Sequence, residues 1–194
     1  YRLALSGESE SYFESSNSLL FAYVLAVAII FLVLAAQFES FLHPVTILVA
    51  VALSFTGALL GLWVTGGTLN LFSEIGLVML VGLVTKNSIL IVEFANQLRE
   101  AGKPLVEATF EAARTRFRPI LMTALSTIVG ILPIALGGGA GGEARAPLGV
   151  AVIGGMLFAS LLTFFVVPAT YVTLEHLKER LRGPSEAPVE APAA

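Results

Sequence analysis

Apolar and polar positions are arranged along this chain on two different scales. At the start, Tyr1, Leu3 and Leu5 alternate with Arg2, Ala4 and Ser6, the period-two pattern of a half-buried strand. A lone strand needs partners, so the pattern predicts the end of a domain whose remainder lies upstream. Gly7 to Asn17 is polar and rich in Ser and Glu; it predicts a short helical lead-in with serines available as caps. From there the pattern changes to long apolar runs. Leu19–Ala36, Pro44–Val64, Ile120–Leu136 and Ala146–Leu174 carry no charge, and Ile75–Val92 carries one. A helix needs about 20 residues to cross ~30 Å of hydrocarbon, and each run meets that length. Together with their flanks the runs predict helices at about 17–36, 44–64, 71–98, 119–136 and 146–174. That divides the chain into the end of a domain and lead-in at 1–16, a transmembrane domain at 17–174 and a tail at 175–194.

Composition agrees with a membrane protein. Of the 194 residues 56% are hydrophobic and 13% charged, and the mean hydropathy is +0.87, far more apolar than a soluble core of this size needs. The net charge of −3 gives no basis for a nucleic-acid partner. Basic residues group by loop. Arg99, Lys103, Arg114, Arg116 and Arg118 lie between the third and fourth runs, and Lys178, Arg180 and Arg182 follow the fifth. Only Arg2 and Arg145 fall on the other side, so the positive-inside rule places the long link and the C-terminus in the cytoplasm and the N-terminal end outside. Within the link, Val106, Phe110, Ala113 and Phe117 recur at helical spacing among Glu107, Glu111 and Arg114. This predicts an amphipathic helix at the interface, serving as a coupling element or as a solvated connector. The run Gly137–Gly142 predicts a flexible outer loop, and the Pro- and Ala-rich end of the tail predicts disorder.

The charge in the third run is Lys86. An ammonium at mid-membrane costs ~2.5–3.5 kcal/mol on insertion scales, so such residues face a partner or a water path. It lies nine residues from Ala95, or ~14 Å of helix rise from the membrane boundary, beyond the reach of a snorkelling stem. Glu93 is seven residues away on the same face and Glu74 twelve. Pairing along the helix is therefore strained, and no other run holds an acid. Lys86 points to ion movement, with a counter-charge outside this segment. Its neighbour Asn87 can bond an adjacent helix or simply pack, and Glu93 is a possible support.

The fourth run supplies Thr123, Ser126 and Thr127. Hydroxyls on membrane helices commonly bond their own backbone or a neighbour. If runs three and four are antiparallel neighbours, Thr123 comes within reach of Lys86 directly or through water. Arg116 and Arg118 mark the start of that run, where anionic headgroups are the default partner. Small residues form packing seams: Gly57 and Gly61 as GxxxG, and Ala151, Gly155 and Ala159 at four-residue spacing. Pro133 predicts a kink. With no cysteine, no HExxH, no GxSxG and no GxxxxGK[ST], thiolate metal sites, intramembrane proteolysis and ATP hydrolysis by this chain are unsupported. His43 and His176 are too far apart to suggest a metal site. These motifs suggest no enzyme activity.

Three stretches are more specific. GLVTKNSILIVEFANQLREAGKPLVEA (Gly82–Ala108), EAARTRFRPILMTAL (Glu111–Leu125) and LPIALGGGAGGEARAPLGVAVIGGM (Leu132–Met156) resemble the last transmembrane helices of resistance–nodulation–division (RND) multidrug efflux permeases of the hydrophobe/amphiphile type. FLVLAAQFESFLHPVTILVAVALSFTGALL (Phe31–Leu60) resembles the preceding pair in the same order. The resemblance implies an all-α membrane protein, the five C-terminal helices of a twelve-helix inner-membrane transporter with a short remnant of a periplasmic domain. It implies drug–proton antiport with no cofactor but the proton, a homotrimer, surrounding lipid, a periplasmic adaptor and an outer-membrane channel. By motif, Lys86 matches the relay lysine, Thr123 the relay threonine of RPILMT, and Arg116 the basic residue at its cytoplasmic approach. In that family the lysine pairs with two aspartates on the fourth helix, in the half that lies upstream. An RND branch exporting metal ions or lipids and a non-transporting scaffold are the alternatives.

Overall fold

The computed structural model describes residues 8–139 and 141–182, with side chains from 21 to 139 and 141 to 177. The predicted strand at 1–6 falls outside them. Five helices follow in order: α1 Glu8–Phe38, α2 Leu42–Val64, α3 Leu71–Glu100, α4 Leu105–Ala135 and α5 Gly142–Arg182. The protein is all-helical over the described residues, and each helix holds a stretch long and apolar enough to cross a bilayer.

Local chemistry explains the breaks. Ahead of α3, Asn70 accepts from the Ser73 amide at 2.9 Å while the Ser73 hydroxyl accepts from the Asn70 amide at 2.8 Å, a reciprocal cap. α3 stops at Ala101, where Gly102 takes φ +89°, a left-handed conformation only glycine adopts freely. α1 begins at Glu8, so the polar lead-in and the first apolar run are one helix rather than two pieces.

The same holds for α4. The amphipathic stretch and the fourth run join without a break through Pro119. Its orientation is a finding in itself. The apolar stripe Val106, Phe110 and Phe117 faces outward, Phe110 with 72% of its surface exposed. The buried side is Ala108, Thr109 and Ala112, whose small side chains allow close approach to the bundle. Pro133 also stands inside α4, but only two residues from its end, so the backbone bond it forfeits lies in the last turn.

α5 is the hub. It packs against α2, α3 and α4, while α1, among the described residues, meets α2 and α3. The interior is a contiguous cluster including Ile47, Leu80, Val84, Ile91, Ile120, Val152, Met156 and Tyr171. Two hydroxyls buried among these residues bond their own helices: Ser54 donates to the Val51 carbonyl at 2.6 Å and Thr85 to Val81 at 2.5 Å. The outside also carries many large apolar side chains. Phe21, Leu32, Phe165 and Trp63 are exposed, Trp63 to 79%. In water such a surface would be untenable, whereas lipid tails solvate it.

The seam between α2 and α5 depends on glycine. A Cβ on Gly57 would collide with Phe158 and lie 2.8 Å from the Gly154 carbonyl oxygen. Gly61 approaches the Gly154 Cα, and Gly155 sits against Leu80 and the Ser54 carbonyl. Gly154, which the four-residue spacing does not single out, is the residue on which both α2 glycines converge.

Candidate functional site

α3 and α4 form a helical hairpin across the short turn at Ala101–Pro104. Two contacts fix their register. Lys103 forms an ion pair with Glu111 beside the turn. Further along, the Arg116 guanidinium lies over the Phe94 ring at 4.8 Å from its centroid. Counting back from this level, Lys86 is eight residues from Phe94 and Thr123 seven from Arg116. At 1.5 Å per residue these are ~12 Å and ~10.5 Å, so Lys86 and Thr123 share one depth in the bundle.

Both side chains are exposed, on an open face. Gly82, one turn from Lys86, and Gly130, seven residues from Thr123, have no heavy atom within 4 Å of where a Cβ would stand. Among the described residues, Lys86 has no ion-pair partner. Thr123 donates its hydroxyl to the Ile120 carbonyl of its own helix at 3.0 Å, and Thr127 donates to the Thr123 carbonyl at 2.9 Å. These bonds use the hydroxyl hydrogens and leave the oxygens free to accept.

Arg116 is half-buried. Its Nε is fully enclosed and finds no acceptor among the described residues, an arrangement that in most proteins is resolved by water or a further side chain. Asn87 turns away from Lys86 into the bundle and is 4% exposed. Glu93 accepts from Gln97 one turn on at 3.2 Å and does not reach Lys86. The structure thus aligns Lys86, Thr123 and Arg116 along α3 and α4. It leaves Asn87 and Glu93 outside that line.

The sequence reading missed a second polar group. Glu175 on α5 is 4% exposed. It pairs with Arg99 of α3 at 3.2 Å and lies 3.9 Å from the His43 Nε2 of α2. Arg99 also donates to the Tyr171 hydroxyl at 3.3 Å, and that hydroxyl donates to the Asn96 side-chain oxygen at 2.5 Å. His43 stacks on Tyr171 and takes the edge of Phe38 from α1. Arg99, Glu175 and His43 each lie beyond an apolar run, where a charge reads as a loop residue. The available signal was spacing: Asn96 and Arg99 at i, i+3 and Tyr171 and Glu175 at i, i+4 each put polar groups on one helical face.

The family model of the AcrB/AcrD/AcrF family matches residues 1–175. The chain belongs to this family. It is therefore an RND-type, multi-pass membrane protein, as its motifs implied. It is similar to the multidrug resistance protein MdtC of Erwinia tasmaniensis, 40% identical over 182 residues, which cover 93% of this chain and 18% of that protein. MdtC of Salmonella schwarzengrund is 38% identical over 189 residues, 97% of the chain and 18% of the relative. MdtC of Erwinia amylovora is 39% identical over 182 residues, with 93% and 18% coverage. The chain thus spans less than a fifth of the length of these relatives.

Proposed function

We propose that this chain is the C-terminal membrane part of a proton-driven RND exporter of drugs or other amphiphiles in the bacterial inner membrane. The observation that carries the reading is Lys86. It is a cation within an apolar span, level with Thr123, on a face of α3 that the other described residues leave open. A charge so placed needs a counter-charge from another helix. In the family this is a pair of aspartates.

The chemistry then follows from electrostatics. While an aspartate is ionised it holds Lys86. A proton arriving from the periplasm neutralises it and removes that attraction. Lys86 then turns towards the accepting oxygen of Thr123 on the adjacent helix. Arg116, with an enclosed donor that water in a path would satisfy, stands on the route towards the proposed cytoplasmic side. Moving one charge through the membrane potential supplies ~2.3 kcal/mol per 100 mV, enough to bias a helix rearrangement that opens the periplasmic drug path. In this reading the N-terminal end is periplasmic and the C-terminus cytoplasmic. The working unit is a homotrimer with an adaptor and an outer-membrane channel.

Substituting Lys86→Ala in the full-length transporter tests the relay. Export should be lost at normal membrane abundance, and undiminished export would sink it. Export of a metal ion or lipid would keep the relay and change only the cargo. A scaffold would show no proton flux in either form.

A further inference from the structure

α3 carries two functional faces. Arg99 is thirteen residues beyond Lys86, ~20 Å along the axis and about 140° around it at 100° per residue. Lys86 therefore looks out of the bundle while Arg99 looks back into it, onto α5. There its guanidinium meets Glu175 at 3.2 Å and the Tyr171 hydroxyl at 3.3 Å. Tyr171 in turn donates to Asn96, one turn before Arg99.

This group is more than a surface ion pair. Glu175 is buried and Arg99 gives it a permanently charged partner, and breaking one side of a buried ion pair is costly. Asn96 and Arg99 grip one tyrosine from two positions on the same face of α3. Neither rotation of α3 nor sliding along its axis preserves both bonds. A cavity of about 560 Å³ opens beside the pair, lined by His43, Asn96, Arg99, Lys103 and Glu175 among others. Polar space is thus at hand to solvate the charges if the pair parts.

We propose that Arg99, Glu175, Tyr171 and Asn96 form a positioning site. It holds the inner end of α3 on α5 and so sets the rotation and depth at which Lys86 meets its counter-charge. The proposal rests on the relay reading of Lys86 for its consequence in transport, though not for its geometry.

The experiment uses the full-length transporter in proteoliposomes with three variants: Glu175→Gln, the charge reversal Arg99→Glu with Glu175→Arg, and Lys86→Ala. Glu175→Gln should lower the maximal transport rate by about tenfold to a hundredfold, the scale on which displaced reacting groups act. The substrate KM should stay within about twofold, since no substrate contact is touched. The charge reversal should restore at least half of the wild-type rate. Spin labels on Cys substituted at Glu100 and Leu177 should report a changed α3–α5 distance in Glu175→Gln and a native one in the reversal.

A wild-type rate and distance in Glu175→Gln overturn the proposal. A reversal pair that is folded but inactive, or absent from the membrane, does the same. If Glu175→Gln fails to accumulate, the reversal pair alone decides by the same criterion. If Lys86→Ala transports normally, the relay reading falls, and the label distances still determine whether the site holds α3.

Discussion

The Arg116 guanidinium on α4 stacks over the Phe94 ring on α3, 4.8 Å from its centroid. This contact does two things. It gives a half-buried cation an apolar surface to rest on, and it sets the register that brings Thr123 level with Lys86. The carboxylates near this contact in sequence have other partners: Glu93 is engaged with Gln97, and Glu111 with Lys103. The ring is therefore the main partner that α3 offers Arg116.

Replacing Phe94 with Leu keeps apolar bulk and removes the ring's negative face. A cation–π contact of this kind contributes ~0.5–2 kcal/mol, rising with desolvation. Phe94→Leu should therefore destabilise the intact transporter by that order in thermal unfolding, and Phe94→Tyr should not. Equal stability of the Leu and Phe forms would show that Arg116 is held by something else.

Gly57 is a position on the α2–α5 seam where added bulk meets immediate resistance. A single methyl there meets Phe158 and, at 2.8 Å, the backbone oxygen of Gly154, which cannot rotate away. Overpacking of this kind costs ~1–3 kcal/mol. Gly57→Ala should lower the unfolding midpoint and reduce membrane abundance, despite alanine's better helix propensity. A raised midpoint would mean that the α2–α5 seam is looser than the structure shows.

Much of this architecture was legible in the residues, for identifiable reasons. Apolar runs of about 20 residues have few fates other than crossing a bilayer, so the five helices could be read from length and charge alone. GxxxG marked Gly57 and Gly61 as small, but their partner Gly154 is set by how α5 is rotated, which spacing in α2 does not encode. Continuity of α4 through Pro119 ran against the usual reading of proline as a boundary. Helix is kept on both sides of Pro119, which is exposed and forfeits one backbone bond. The outward turn of Val106, Phe110 and Phe117 was hidden because periodicity tells which residues share a face, not which way that face points. The Arg99–Glu175 pair joins residues 76 apart in sequence. Nothing local links them, and only the packing of α3 on α5 does.

Gly82 probes what covers the Lys86 face. Among the described residues a side chain there meets open space. In the proposed transporter a further helix packs against that face to bring an acid to Lys86. Gly82→Leu should then clash with that helix, costing ~1–3 kcal/mol, and export should fall at equal abundance. A Gly82→Leu transporter as stable and active as wild type would place the face against lipid and remove the counter-charge from the site.

Thr123 separates a structural hydroxyl from a functional one. Its hydrogen is donated to Ile120 at 3.0 Å within the same helix. Such a bond contributes about 0.5–1.5 kcal/mol net and can be lost at little cost to folding. Thr123→Val, which keeps shape and removes the oxygen, should therefore leave unfolding almost unchanged. The relay reading demands more, because Lys86 turns towards that oxygen when its acid is protonated. Thr123→Val should abolish proton-coupled export, and Thr123→Ser, which keeps the oxygen on a smaller stem, should retain a large part of it. Rates that follow stability instead, with Val close to wild type, would reduce Thr123 to a helix-bonded hydroxyl and leave Lys86 without an acceptor on α4.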